Sequence, residues 1–273
     1  VGAAVTFVSV TGDDDIARDV DLLLRDLAGV TPNLIREKDR PTTSKIRYVA
    51  GGQQLLRADR EVTTPIADDV ADAVFRAAES ALEDAGVLIV SDYGKGTITD
   101  SLVARLIEAA SAAGKPVIVD PKSRDFTRYA GASLITPNLK ELGEAADGEL
   151  SSEDGIVDAA RGLLSHAGIG SMLVTRGAQG MSLVTAAGAD HFPSRAREVF
   201  DVSGAGDTVL ALLAAGIAAG VPTLEAAQLA NVAAGIVVGK TGTAVVYADD
   251  LLEELNDMAG HSGPQPPLRL DAA

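Results

Sequence analysis

Cysteine is absent from the 273 residues. That excludes disulfides and thiol catalysis, and it fits a reducing compartment, so a cytoplasmic location is expected. Histidine is scarce. His166, His191 and His261 stand far apart, which argues against a histidine-based metal centre. Basic residues number 23 against 39 acidic ones, a net charge of −16. Such a balance disfavours nucleic acid as a partner and suits a soluble protein. No apolar run reaches the about 18 residues of a membrane span, so no membrane partner is expected. No secretory signal, internal repeat or initiating methionine is visible. Val1-Gly2-Ala3-Ala4 runs straight into strand-like Val5–Val10, which suggests residues upstream of those quoted.

What is present is apolar enough for a large core. Hydrophobic residues make up 47% of the chain, and its length suits one large α/β domain or two small ones. Between Ala67 and Thr175 helix patterns alternate with short apolar runs at Val87–Val90, Pro116–Val119, Leu134-Ile135 and Met172–Thr175. Alternation of this kind predicts βαβ crossovers and a mostly parallel sheet covered by helices on both faces. Met181–Thr185 reads as a hairpin partner of the last run. Earlier, Gly12-Asp13-Asp14-Asp15 caps a helix through about Ala28, and Asn33–Lys38 reads as a short strand. Thr42–Ala50 and Gln53–Asp59 form a β-hairpin around Gly51-Gly52, rich in Lys45, Arg47 and Arg57. A solvated sheet edge protected by charge explains those cations equally well. After the sheet come helices at about Ala205–Gly220, Leu224–Val238 and Asp249–Met258, then a proline-containing tail.

Ligands of such sheets bind beyond the carboxyl ends of the strands. Polar groups gather there: Ser91-Asp92, Asp120-Pro121-Lys122, Thr136-Pro137-Asn138 and Thr175-Arg176-Gly177. The stretch Glu198–Val209 adds Gly204-Ala205-Gly206-Asp207 ahead of a long apolar helix. Unpartnered amides at a helix N-terminus attract anions. A carboxylate in that first turn suits a base that takes a proton from an attacking hydroxyl, so cradle and base together read as phosphoryl transfer to an alcohol. A plain N-cap by Ser203 or Asp201 is the competing reading. A dinucleotide fingerprint fails because Val209 stands where a small residue is needed, and a P-loop at Gly239-Lys240-Thr241-Gly242 fails on spacing.

These motifs resemble the ribokinase/PfkB sugar-kinase family, whose GAGD signature stands at Gly204–Asp207. Within it, Pro41–Arg47, Gln53–Arg57, Ser91–Gly96, Asp120–Lys122, Thr136–Glu141 and Asn231–Thr243 resemble the branch that phosphorylates D-glycero-D-manno-heptose 7-phosphate at C1, in ADP-heptose synthesis. The likeness covers residues 1–258 and implies a ribokinase-like three-layer α/β sandwich with a hairpin lid at about 33–60, followed by a tail at 259–273. It implies ATP and Mg²⁺ as cofactors, Asp207 as base, and the amides of Gly204, Ala205 and Gly206 as the anion cradle. Asn138, Leu139, Lys140, Glu141, Thr175, Gly177, Asn231, Lys240 and Gly242 would border the nucleotide, with Glu141 reaching Mg²⁺ through water. Lys45, Arg47, Arg57, Asp92, Lys95 and Lys122 would hold the sugar phosphate, and a homodimer would form through the lid strands. The family normally starts with a strand carrying an aspartate and a Gly-Gly-Ala-x-Asn segment that contact the sugar. Neither occurs here, and residue 1 aligns just after them. A kinase for another sugar or sugar phosphate, or a binding relative without catalysis, is the alternative.

Overall fold

The computed structural model describes residues 1–51, 53–196, 199–242 and 244–261. The chain runs β1 (Val5–Thr11), α1 (Asp15–Arg25), β2 (Val30–Arg36), β3 (Ser44–Ala50), β4 (Gln53–Arg60), α2 (Asp68–Leu82), β5 (Leu88–Ser91), α3 (Asp100–Ala112), β6 (Val117–Asp120), β7 (Leu134–Ile135) and α4 (Leu139–Ala145). It continues through α5 (Glu153–Ala167), β8 (Ser171–Thr175), β9 (Met181–Thr185), β10 (Ala189–Phe192), α6 (Ala205–Ala218), α7 (Thr223–Val238) and α8 (Ala248–His261). Gly52 of the hairpin turn, Glu198, Thr243 and the tail from Ser262 lie outside the described residues.

The main sheet has six strands in chain order, β5 to β10. β5 to β8 are parallel, and β8–β9 and β9–β10 are antiparallel. Strand residues alternate between two cores, as period-2 geometry requires when both faces are covered. Val117, Val119, Ile135, Met172 and Val174 face α3, α4 and α5, whereas Ile118, Leu134, Leu173 and Leu183 face α6, α7 and Leu251 of α8. The result is the expected three-layer sandwich. A third cluster packs α2 against α3, Leu88 of β5 and the Val8, Val10 and Ile35 side chains of β1 and β2.

The first strands depart from expectation. β2 begins at Val30 and pairs in parallel with β1, register Val5↔Val30 to Thr11↔Arg36, so residues 33–36 lie outside the hairpin. The hairpin is β3–β4 alone, with a bulge after Tyr48. Helix α1 stops at Arg25, three residues short of Ala28, because Leu27 and Val30 turn the chain back with bonds to Leu24 and Leu27 carbonyls. β10 is a four-residue edge strand that no pattern in Ala189–Phe192 announces.

The hairpin is tied down at its base. Asp14, the α1 N-cap, accepts from Thr42 N–H at 2.9 Å and Thr42 Oγ1 at 2.6 Å, and Thr42 Oγ1 accepts Gly12 N–H at 3.0 Å. Arg40 pairs with Glu37 and donates to the Val62, Thr64 and Lys95 carbonyls. Gly96 sits at φ +79°, where a Cβ would lie 2.0 Å from Thr64 O. Gly96→Ala should therefore destabilise the protein by about 2–4 kcal/mol. Gly162→Ala, on the exposed face of α5 with nothing within 4 Å of its Cβ, should stabilise it by about 0.5–1 kcal/mol. Urea unfolding of the two variants measures the contrast.

Candidate active site

The carboxyl ends of β5 and β6 open toward the N-terminus of α6. Gly204 is the N-cap of that helix, at φ 82°, a left-handed conformation that glycine adopts without strain. No side chain caps the terminus among the described residues. The Asp201 carboxylate accepts the Ser203 amide at 2.8 Å instead, so the plain N-cap reading by Ser203 or Asp201 does not hold. One amide of the expected cradle is engaged: Ala205 N–H leans back on Val202 O at 3.3 Å.

Asp207 is exposed in the first turn of α6, and the Tyr93 hydroxyl donates to its Oδ1 at 3.1 Å. Burial and the Asp207 charge push the Tyr93 phenol above its usual range, so it stays protonated. Asp120, at the end of β6, accepts from Thr136 Oγ1 at 3.3 Å. Its pKa is pushed up to about 6 by burial first, then by the charge of Glu141, with Asp207 adding a smaller push. Three carboxylates from β6, α4 and α6 thus share one field.

Glu141 closes a capping box at α4, where Asn138 Oδ1 accepts Glu141 N–H at 2.9 Å and Glu141 Oε2 accepts Asn138 N–H at 3.1 Å. Its Oε1 takes Lys122 Nζ at 2.9 Å, and this bond raises the lysine pKa. Thr175 joins them through its amide, which donates to Pro137 O at 3.0 Å. Gly177 follows at φ 58° with open space around it. Leu139 is half-buried, whereas Lys140 is exposed and pairs with Glu144 at 3.7 Å.

The segment before α6 is bonded to the turn after α7. Phe200 and Asp201 amides donate to Val238 O at 2.8 and 3.3 Å, and the Gly242 amide helps hold the Asp201 carboxyl below its usual range, behind the stronger effect of Ser203. Lys240 is held at 2.7 Å by Asp250, and buried Asn231 donates to Pro193 O at 2.8 Å. Both side chains hold their segments to the scaffold.

The hairpin cations divide. Arg47 contributes to holding the Asp201 carboxyl down, which places it beside the stretch before Gly204. It stands directly opposite Arg57 in the hairpin register, and Arg57 Nε bonds Asp59 at 2.8 Å, with Lys45 4.0 Å from the same carboxylate. Lys95 is bound to Glu61 at 2.5 Å and its carbonyl to Arg40, so it latches the hairpin base. Asp92 turns inward. It is 4% exposed, and its oxygens are taken by the Tyr129 hydroxyl at 2.7 Å, Gly94 N–H at 2.8 Å and Arg128 at 3.5 Å. Sequence reasoning missed Tyr93 and assigned no role to Asp120. Both stand in strand-end segments that it singled out, beside the charges it chose instead.

Among solved structures the fold is similar to Arabidopsis thaliana ribokinase complexed with ribose and ATP, at TM-score 0.74 and 22% identity, covering 92% of this chain and 82% of that one. It is also similar to phosphofructokinase-2 from Escherichia coli in complex with potassium, at TM-score 0.77 and 20% identity, covering 94% and 83%. The architecture is that of a ribokinase-like α/β kinase. Over residues 1–249 the chain matches the pfkB family of carbohydrate kinases, and it belongs to that family. Among curated relatives it is 51% identical over 257 residues to a bifunctional protein HldE of Paramagnetospirillum magneticum, covering 94% of this chain and 53% of the relative. It is 46% identical over 265 residues to that of Caulobacter vibrioides, covering 96% and 54%. The chain spans about half the length of these relatives.

The field at Asp120 has a consequence for stability. An acid whose folded pKa is raised stabilises the fold while protonated, fully below its ordinary 3.8, and that contribution is lost as pH rises through about 6. Asp120→Asn should raise stability at pH 7.5 by about 1–3 kcal/mol and flatten the fall in stability between these two values. Urea titrations across the pH range read both.

Proposed function

We propose that this chain transfers the γ-phosphoryl of ATP to the C1 hydroxyl of D-glycero-D-manno-heptose 7-phosphate, giving the 1,7-bisphosphate for ADP-heptose synthesis. The observation that carries the reading is the Asp207 carboxylate in the first turn of a helix that no side chain caps, facing the strand ends. Asp207 takes the proton as the sugar oxygen attacks phosphorus, and the bond to the ADP oxygen breaks with its electron pair leaving on ADP. Amides of the Gly204–Gly206 turn stabilise the charge gathering on the transferred group, a contribution of roughly 10²–10³ in rate for such donors.

Lys122, held by Glu141 at the strand ends, is offered to that group. Mg²⁺ bound with ATP asks little of the protein, because phosphate and water fill most of its shell. Glu141 is a hard oxygen donor at the right end of the sheet and fits it through water, the chemistry supplied being neutralisation of the phosphate oxygens. Arg47 and Arg57 are offered to the sugar's 7-phosphate. Two cations directly opposite on a hairpin repel each other, and a phosphate held between them relieves that repulsion. On this reading residues 1–258 are one kinase domain that works in the cytoplasm, where its ATP is supplied. No helix among the described residues is long and apolar enough to cross a membrane.

The hairpin's other face carries Ile46, Tyr48 and Leu56, each about half exposed. A second copy of the chain would cover it, forming a homodimer through the lid.

A coupled ADP assay should show turnover with heptose 7-phosphate well above ribose, fructose or fructose phosphates; equal rates on the neutral sugars would sink the substrate assignment. Asp207→Asn should lower kcat by roughly 10²–10⁴-fold with ATP binding retained. Arg57→Ala should raise KM for the sugar phosphate about 10-fold, the worth of one charge-assisted contact. Leu56→Glu should give monomers in light scattering.

A further inference from the structure

Tyr93 is the residue at the open end of the sheet whose placement neither packing nor charge pairing explains. Its side is 58% exposed, so it is no core ring. Yet the loop that carries it is fixed on both flanks. Ahead of it, Asp92 is buried under Tyr129 and Arg128 and accepts the Gly94 amide. Behind it, Lys95 is bound through Nζ to Glu61 and through its carbonyl to Arg40. Gly94 at φ 64° and Gly96 at φ 79° complete the turn, and Gly96 O accepts the Ile66 amide at 3.0 Å. A loop held this firmly presents one ring, and the ring's hydroxyl reaches Asp207 Oδ1 across 114 residues of chain.

A carboxylate on an exposed first helical turn has several rotamers open to it, and a base must hold one of them to meet its proton donor at hydrogen-bond distance. We propose that Tyr93 is a positioning residue for Asp207: its hydroxyl holds Oδ1 and leaves Oδ2 turned to the acceptor hydroxyl. The surroundings favour a neutral donor in this role. Facing Asp207 are Asp120 from β6 and, beyond it, the Lys122–Glu141 pair, with Arg47 near the Asp201 segment on the hairpin side. A lysine in Tyr93's place would compete for the incoming phosphates, and a carboxylate would repel them. A phenol does neither. The consequence for catalysis rests on the kinase reading, whereas the hydrogen bond itself does not.

Tyr93→Phe keeps the ring and removes the hydroxyl alone, at an exposed position where folding is not at stake. Carbon-13 NMR of labelled aspartate, with Asp207 assigned by the signal lost in D207N, reads the bond directly. Loss of the bond should move the Asp207 carboxyl signal in Y93F at neutral pH. In the ADP assay, kcat should fall about 10-fold while KM for ATP holds. A loss of rate with the Asp207 signal unmoved, or with KM for ATP raised in step, would mean a merely structural tyrosine and overturn the inference. Absence of turnover in the unaltered chain would sink the kinase reading alone, and the NMR comparison would still decide for or against Tyr93.

Discussion

One buried carboxylate sets the floor of the site. Asp92 has left water for the bonds of Tyr129, Arg128 and the Gly94 amide. A charge so buried is tolerated only when its lone pairs are filled, and removing one partner leaves the desolvation uncompensated. Its reward to the fold is geometric. Tyr129 belongs to the short 3₁₀ turn Phe126–Tyr129 after β6, so the Asp92 bonds pin the loop after β5 to the connection that follows β6. Tyr93 and Lys95 then project from a stationary backbone, one toward α6 and the other toward the hairpin base.

Above that floor the charges are arranged against one another. In a chain of net charge −16, Asp120, Glu141 and Asp207 crowd together at the strand ends. The crowding is managed locally: Lys122 neutralises Glu141, and Asp120 sits in a field that favours its proton. The remaining negative potential is left at Asp207, beside the helix N-terminus that offsets it. Arg47 and Arg57 stand apart, on a hairpin whose base is latched by Arg40, Glu37, Glu61 and Lys95.

Much of the fold was legible because its elements obey simple periods. Val117, Ile118 and Val119 alternate between two helical layers. Asp14, Thr99, Asn138 and Ser152 cap their helices through side-chain oxygens, as such residues do. The misses have physical reasons too. The strand read at Asn33–Lys38 was grouped with the lid because it is adjacent in sequence, whereas β2 pairs through Leu34 and Ile35 with β1 across α1. At the strand ends, charge was taken as a sign of function. Yet successive residues leaving a strand point to opposite sides, and nothing in Asp92-Tyr93 tells which of the two meets the core. The acid went inward and the phenol outward. The ion pairs of Lys95 and Lys240 were hidden likewise: each has an acidic partner 34 or 10 residues away, a distance at which sequence shows no pairing.

The order of strands in the main sheet has a kinetic meaning. From β5 to β10 every strand lies beside its neighbour in the chain, so the loops closed in building the sheet are short and their entropic cost is small. The contact between residues 93 and 207 is of another kind, since it closes a loop of 114 residues. A nascent chain can therefore assemble its scaffold progressively as it leaves the ribosome, while its reactive centre waits for the α6 segment to emerge. Architecture comes early and competence last.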